Sequence, residues 1–445
     1  MYNYCNTLNH NLKRGILKFF EKISKNLSRP QFKFVAQMMF GILSSQSCML
    51  SEISRKLNEK TTLKKVIDRL SRNLNTFNEG EKLFEQYLYA VKSQINKNTI
   101  LIVDGSDITK NYTTKSEGIE TVRDGNTGEY KLGYPTVGVT ALTPKKKMPI
   151  PVYTKIFSAK EKGFVSEDEE TINALKFLSC HFSKNNIRAF DRGYDNRYYG
   201  YLISCDEKFV IRAKKNRDVI YKGKRINIME LAHKFKGKYS LKFRRKNGIG
   251  ADCKISIIPV KLVCRPSDEL NLVVCYGFGK EPMLLITNLK SDDKRLGVAV
   301  VKVYLMRWRI EEFYRFKKQQ FGFENLRVRS LKSIRNLDLI LTIAVGYIGF
   351  ISEKVDERIA VMQLVEQSKR IYGVNKFTFY AIAYGLFVVF SKCKQGISDM
   401  LMKNQKSMQL SLFPDVGFGC CFTTIPLPFC KLFQIHCCKL KPHPV

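Results

Sequence analysis

The stretch at residues 98–110, NTILIVDGSDITK, decides the fold predicted for this chain. Its first half is a continuous apolar run, typical of a buried strand, and it gives way to polar residues at Asp104. An aspartate after a strand is most often a turn former. In open α/β sheets, however, the carboxyl ends of strands also carry ligand-binding side chains. Asp104 is therefore a candidate site residue.

The segments that follow predict a mixed sheet with helices on both faces. Residues 134–143 (YPTVGVTALT) and 148–158 (MPIPVYTKIFS) alternate as the arms of a hairpin do. Residues 166–182 form an amphipathic helix with acidic residues in its first turn, where the helix dipole favours them. The stretch 186–196, NIRAFDRGYDN, is a second strand ending at Asp191, and a helix follows. Strand, hairpin, helix, strand, helix is the order of a ribonuclease H-like α/β core.

The periodicity of the chain divides it into six predicted regions. At 445 residues the chain is too long for one simple core, so several structural units are expected. The regions are a helical N-terminal region (1–95), the first part of the core (96–217), a β-rich insertion (218–290), a core helix that carries Glu311 (291–330), a C-terminal helical region (331–404) and a Cys-rich, flexible tail (405–445).

The charge of the chain indicates a polyanionic partner. Lys and Arg number 76 against 40 Asp and Glu, which gives a net charge of +36. So large an excess repels itself unless a polyanion neutralises it, and nucleic acid is favoured over an acidic membrane surface.

Residues 51–74 predict two short helices joined by a polar turn. Their second helix separates an apolar face from a basic face, as a helix-turn-helix reading head does, but many helix pairs in bundles look the same. The apolar face comprises Leu63, Val66, Ile67, Leu70 and Leu74. The candidate DNA-binding cations are Lys64, Lys65, Arg69 and Arg72 on this helix, and Arg244 and Arg245 on a hairpin of the insertion.

Several features predict a cytosolic protein. The first residues have no apolar core behind a basic start, so no secretory leader is expected. The apolar stretches 337–351 and 377–390 fall short of the roughly 20 residues of a membrane helix and are interpreted as buried helices. Eight of thirteen cysteines are scattered singly before residue 400, which suits reduced thiols. The five in the tail lack zinc-ribbon spacing.

A second decisive stretch is YLMRWRIEEFYRFKK, residues 304–318. On a straight helix of about 100° per residue, five side chains share a stripe roughly 100° wide, and Glu312 lies further round. The five are Tyr304, Arg307, Trp308, Glu311 and Lys318. A surface helix with ordinary salt bridges is the simpler interpretation. The alignment instead favours a metal-bound phosphodiester: a carboxylate for the ion, cations for phosphates and an aromatic ring for a base.

Phosphoryl transfer at a metal site needs two or three convergent carboxylates, because hard oxygen ligands hold Mg²⁺. Asp104 and Asp191, each at the end of a predicted strand, form such a set together with Glu311. Three neighbouring acidic residues are interpreted as supporting or capping residues instead: Asp107, Asp195 and Glu312.

The spacing Y-x2-R-x3-E-x6-K within 304–318 resembles the signature of the DDE transposases of the insertion-sequence-four family. The matching residues are Tyr304, Arg307, Glu311 and Lys318. The stretches 103–110 (VDGSDITK) and 191–196 (DRGYDN) resemble the family's sequences around its first and second aspartates. The similarity covers roughly residues 30–390. It implies a cut-and-paste DNA transposase with a ribonuclease H-like core, located in a bacterial cytoplasm and associated with the nucleoid.

The resemblance also implies roles for the site residues. Asp104, Asp191 and Glu311 would be catalytic and would hold two Mg²⁺ (or Mn²⁺) ions. The DNA-contacting residues would be Arg307 and Lys318 as phosphate clamps, Tyr304 as a hydrogen-bond donor and Trp308 as a base platform. The partners would be terminal inverted repeats, target DNA and a second copy of the chain in a homodimer.

Two other functional classes remain open on the sequence. The same core serves nucleases and resolvases that cut without joining. A domesticated DNA-binding protein without catalysis is the alternative that is not an enzyme.

Overall fold

The N-terminal region is helical, as predicted. In this computed structural model the described residues are 2–353, apart from 111, 126, 196, 245–249 and 291–292, together with 362, 364–365, 378–391 and 396–397. The predicted tail, 405–445, lies outside them. The N-terminal helices are α1 (Tyr2–Ile23), α2 (Arg29–Ser45), α3 (Leu50–Leu57), α4 (Leu63–Thr76) and α5 (Gly80–Val91). Pro30 stands in the first turn of α2, where a missing N–H costs nothing.

Helices α3 and α4 are the predicted helix pair. Val66, Leu70 and Leu74 are buried, whereas Leu63 is 38% exposed and Ile67 is half-buried. The apolar face is therefore narrower than predicted, because only residues near one line of α4 meet neighbouring helices.

The strands of the described part of the chain form one large mixed sheet. They are β1 (Leu101–Thr109), β2 (Glu120–Arg123), β3 (Tyr130–Leu142), β4 (Pro149–Ile156), β5 (Arg188–Phe190), β6 (Phe209–Arg212), β7 (Asp218–Tyr221), β8 (Lys224–Asn227), β9 (Tyr239–Arg244), β10 (Gly250–Leu262), β11 (Arg265–Tyr276) and β12 (Met283–Thr287).

The core of this sheet has the order β4-β3-β1-β5-β6. Strand β3 is antiparallel to β1 and β4, which is the predicted hairpin, and β5 runs parallel to both β1 and β6. Helix α6 (Glu167–His181) precedes β5 and helix α7 (Tyr199–Ser204) connects β5 to β6. Three antiparallel strands followed by two parallel ones is the ribonuclease H-like arrangement, so that prediction is confirmed.

Helix α6 begins where the sequence places it. The hydroxyl of Ser166 accepts a hydrogen bond from the backbone N–H of Glu169, which caps the helix. The four residues of its first turn, 167–170, are all acidic and complement the positive end of the helix dipole.

The predicted insertion, 218–290, continues the core sheet. Strand β12 pairs antiparallel with β6, and β11, β10, β7 and β8 follow outward. One segment differs from the prevailing strand prediction, since residues Ile228–Lys234 form helix α8. Asn227 caps this helix through Met229 N–H, and Ile228, Leu231 and Ala232 are buried at helical spacing.

The chain then returns to helices. These are α9 (Lys294–Met306), α10 (Trp308–Arg315), α11 (Leu331–Ser352) and α12 (Thr378–Ser391), and a π-helical turn, Phe316–Gln320, follows α10. Helix α11 is long and apolar enough to cross a membrane, but 83% of its most apolar window is buried inside the protein. It packs against β4 and α2. The interpretation of 337–351 as a buried helix is confirmed.

Candidate active site

Asp104 and Asp191 lie side by side on neighbouring parallel strands. Leu101 in β1 pairs with Arg188 in β5, and each aspartate comes three residues after its member of that pair. Asp191 directly follows β5, as predicted. Asp104 does not end its strand, and that prediction is wrong. Because β1 keeps pairing with β3 through Thr109, Asp104 is a mid-strand residue, paired with Gly138.

The third carboxylate, that of Glu311, lies in the first turn of α10, close to the point where α9 ends. Sequence reasoning assumed one straight helix through 304–318, but α9 ends at Met306 and α10 begins at Trp308. Arg307 stands at the joint and is only 4% exposed. Its guanidinium faces Asp104 of β1, and Glu311 lies one helical turn further along.

The guanidinium of Arg307 contacts all three predicted catalytic carboxylates. Its Nη1 lies 3.0 Å from Oδ2 of Asp104, and its Nη2 lies 2.6 Å from Oε1 of Glu311. Its Nε is 3.9 Å from Oδ1 of Asp191 and is buried without a hydrogen-bond partner. In this structure Arg307 is the shared counter-ion of the three carboxylates, and its role as a phosphate clamp stays a prediction.

Burial and these contacts together set the protonation of the two aspartates. Burial raises the pKa of Asp104 to about 7, against the opposing charge of Arg307. Burial also acts on Asp191, but Arg307, the N–H of Arg192 and the hydroxyl of Tyr304 outweigh it and hold the pKa of Asp191 below its ordinary value. The two carboxyls of one site thus differ in acidity.

The raised pKa of Asp104 makes a testable prediction for the metal-free protein. The folded pKa, about 7, lies above the ordinary value of 3.8, so the protonated carboxyl stabilises the fold at low pH. That contribution is present below about pH 4 and is lost as the pH rises through about 7. Chemical unfolding in a chelator between roughly pH 4 and pH 8 should show this decline. The variant Asp104→Asn, which cannot titrate, should lack it, and an equal decline in the variant would refute the assignment.

Tyr304 supports Asp191. Its hydroxyl donates a hydrogen bond to Oδ1 of Asp191 at 2.9 Å and accepts one from Arg212 Nη1 at 3.3 Å. Burial raises the pKa of the Tyr304 hydroxyl, so it remains a donor at neutral pH. The hydroxyl predicted to contact a phosphate holds a carboxylate in this structure.

A supporting residue that the sequence analysis missed is Tyr314. Its hydroxyl donates to the backbone carbonyl of Asp104 at 2.8 Å. The ring reaches that carbonyl across Gly138, where an added Cβ would lie 2.5 Å from the hydroxyl. The signal was available, since Tyr314 stands one helical turn after Glu311.

Lys318 is held by two other carboxylates. Its ammonium lies 2.9 Å from Asp107 and 3.3 Å from Glu324. The π-helical turn that contains it changes its direction relative to a straight helix. Lys318 thus forms ion pairs with Asp107 and Glu324 in this structure, and its contact with a phosphate stays a prediction.

Asp195 and Glu312 also have structural partners. Asp195 is 1% exposed and accepts hydrogen bonds from Tyr199, the N–H of Lys214 and Arg217. Glu312 pairs with Arg315 at 3.1 Å and accepts from Tyr380 at 3.3 Å. Neither joins the three carboxylates at Arg307.

The predicted DNA-binding side chains outside this cluster differ in their availability. Trp308 is 53% exposed. Lys64, Lys65 and Arg72 are exposed on α4. Arg69 instead bonds Glu59 at 2.6 Å and Gln37 at 2.8 Å, because it lies on the side of α4 that meets α2. Arg244 ends β9, and Arg245 lies outside the described residues.

The carboxylate cluster suits a divalent ion by its chemistry. Three carboxylate side chains surround one buried cation, and oxygen donors of this type are those that Mg²⁺ and Mn²⁺ prefer. With Arg307 among them, the carboxylates are spread around the guanidinium. Within the described residues, no group of three or more Asp, Glu, Cys or His side chains lies close enough together to hold a metal ion in this arrangement.

Comparison with known proteins gives one decisive match. The family model of the transposase DDE domain matches residues 96–346, which is more than half of the chain. Among solved structures, the chain is similar to a piggyBac transposase in a synaptic complex with hairpin DNA, at 12% identity and a TM-score of 0.42, over 93% of this chain and 86% of that one. No curated protein sequence matches the chain significantly.

Proposed function

The chain belongs to the family of transposases with a DDE domain, and on that premise we propose that it cuts DNA at the ends of an insertion sequence and joins them to target DNA. The observation that carries this proposal is the convergence of Asp104, Asp191 and Glu311 on Arg307. The finer proposal, membership of the insertion-sequence-four group, rests on the spacing of Tyr304, Arg307, Glu311 and Lys318.

Asp104, Asp191 and Glu311 are the residues that would hold Mg²⁺ or Mn²⁺, two ions per site. Such ions, when bound, activate the attacking oxygen and stabilise the departing one in phosphoryl transfer. Asp191 is already ionised and held by Tyr304. Asp104 must lose its proton to act as a ligand, so metal affinity should fall about tenfold per pH unit below its pKa of about 7.

Arg307 has two roles in this proposal. Without metal it neutralises the carboxylates and keeps them together. With metal ions bound by the carboxylates, the guanidinium of Arg307 would be free to bond the phosphate being cut, where bidentate hydrogen bonds are favourable.

The test is cleavage and joining of the element's own ends. The protein is incubated with labelled end DNA and target DNA in Mg²⁺, and the products are separated on a denaturing gel. Nicked ends and joined products are expected, and Ca²⁺ should permit binding without chemistry, since its looser coordination serves in-line transfer poorly. Nicks without joined products would favour a nuclease or resolvase. Binding without any cleavage would indicate an inactive derivative.

Trp308 is proposed to stack on a base that leaves the helix at the cut end. Trp308 is 53% exposed and is the residue that follows Arg307 in the chain. Trp308→Ala should spare the first nick and slow later steps, because stacking contributes roughly 1–3 kcal/mol per base. Time courses of nicked and joined products measure both steps. Equal loss of the two would make Trp308 a structural residue.

The partners proposed are the terminal inverted repeats and target DNA, with a homodimer pairing two ends. The exposed cations of α4, Lys64, Lys65 and Arg72, are proposed to contact end DNA. The cytoplasm, with association to the nucleoid, is the proposed location. Light scattering of the protein with and without end DNA tests the dimer, and a complex containing one copy would exclude it.

A further inference from the structure

A groove connects the N-terminal helices with the strand that carries Asp104. Two clefts, of about 730 Å³ and about 580 Å³, adjoin along the same short segment, Arg327–Val328–Arg329. The first is lined by residues of α3 and α4, including Arg72. The second is lined by residues that follow β1, including Tyr112. We call the two clefts together the 327–329 groove.

The segment at the centre of the groove is fixed by hydrogen bonds. The N–H of Glu117 donates to the carbonyl of Arg329 at 2.9 Å, and Oε2 of Glu117 accepts from Leu331 N–H at 2.9 Å. The buried ammonium of Lys110 donates to the carbonyls of Glu324 and Leu326. A binding surface of this kind is ordered before any ligand arrives, which lowers the entropic cost of binding.

The side chains of the segment alternate, so that both arginines face outward. Arg327 and Arg329 are exposed, whereas Val328 is half-buried between them. Within the part of the chain that the structure describes, no ion pair involves the guanidinium of Arg72, Arg327 or Arg329. The two cations of the Y-x2-R-x3-E-x6-K spacing, Arg307 and Lys318, differ from these three arginines because both are paired with carboxylates. The acidic side chains of the groove are Asp68 and Glu324, and Glu324 is already paired with Lys318.

One end of the groove lies at α4, the helix proposed to bind end DNA, and the other lies at the end of β1, beside Lys318. At one end, Ser330 Oγ bonds Asn75 of α4 at 2.8 Å. At the other, Glu324 bonds Thr109 at the end of β1, as well as Lys318. The groove thus leads from the proposed end-binding helix toward the signature lysine.

We propose that the 327–329 groove binds the sugar-phosphate backbone of the DNA that leads into the active site. Arg72, Arg327 and Arg329 contact successive phosphates. Tyr112, which is 97% exposed at the far cleft, offers its ring to an unpaired base near the cut. This inference rests on the proposed function, because it takes DNA as the substrate of the carboxylate cluster.

The test compares the salt dependence of DNA binding in matched variants. The groove variant is Arg327→Gln with Arg329→Gln. The control is Arg14→Gln with Arg295→Gln, which removes the same charge from two exposed positions that line neither cleft. Anisotropy of a labelled mixed-sequence duplex gives log K against log salt. Each lost phosphate contact reduces the slope by about 0.9, so the groove variant should lose about 2 and the control should keep the wild-type slope.

A charge-preserving variant separates contact from folding. Arg327→Lys with Arg329→Lys keeps both positive charges and should retain most of the slope, and thermal unfolding shows whether all three variants are folded. The proposal is overturned if the groove variant keeps the same salt slope as the control. It is also overturned if the lysine variant loses as much of the slope as the glutamine variant. A wild type that does not bind DNA at all overturns the proposed function itself.

Discussion

Asp104→Asn, Asp191→Asn and Glu311→Gln should each abolish both DNA cleavage and joining. Each amide keeps the size of the side chain but removes the charge that holds a divalent ion. Because the transition state then loses electrostatic support, the rate should fall by at least about 1,000-fold. The measurement is the initial rate of nicking of end DNA in Mg²⁺, together with the affinity for the same DNA, which should change little.

The matched control for this series is Glu312→Gln, which changes the next residue in the same helix. Glu312 contacts Arg315 and Tyr380 instead of the Arg307 cluster, so the variant should keep most of its activity. Cleavage that survives in Glu311→Gln but disappears in Glu312→Gln would show that the wrong glutamate was assigned. Activity in all three amide variants would exclude the proposed active site.

Arg307→Gln should have the second largest effect, and this effect is on the free energy of unfolding of the metal-free protein. Without metal, the variant leaves three facing carboxylates without their common counter-ion. Removing one partner of a buried ion pair costs about 3–5 kcal/mol. We expect roughly 3 kcal/mol of lost unfolding free energy, the lower end of that range, because Asp191 and Glu311 are 40% and 38% exposed.

Divalent ions should reverse part of that loss. Since Mg²⁺ or Mn²⁺ no longer competes with a guanidinium, each ion should stabilise Arg307→Gln more than wild type, although cleavage remains impaired. Chemical unfolding in a chelator measures the stability that the variant has lost, and unfolding in Mn²⁺ measures how much of it the ion restores. The control is Arg315→Gln, whose exposed pair with Glu312 contributes about 1 kcal/mol or less. Unchanged stability of Arg307→Gln in chelator would contradict the counter-ion role.

Local patterns predicted the core strands and that Asp104, Asp191 and Glu311 lie near one another. The acidic start of α6, the hairpin of β3 and β4 and the position of Asp191 after β5 all depend on short-range rules, and the structure agrees with each of them. The burial of β3 and β4 does not alternate as their sequences suggested, because both strands are buried over continuous runs. The spacing of Tyr304, Arg307 and Glu311 indicated that they act together, and they converge on one site.

The partners of those residues depend on tertiary structure that no local pattern contains. A helical wheel assumes a straight axis, so it could not anticipate the joint at Arg307 or the π-helical turn at Lys318. Similarly, Arg69 has the sequence context of a surface cation, yet it bonds Gln37 and Glu59 because α4 packs beside α2. The contact from Tyr314 to Asp104 joins residues 210 positions apart in sequence.

The pairing of β12 with β6 has a consequence for how this chain can vary. Strand β6 is the last parallel strand of the core, and the insertion covers the side of it that does not face β5. If the insertion were removed, the N–H and C=O groups on that side would become a bare edge, ready to pair with the same edge of another copy. The insertion therefore prevents this edge of β6 from pairing with another copy. A shortened insertion must keep at least one strand paired with β6.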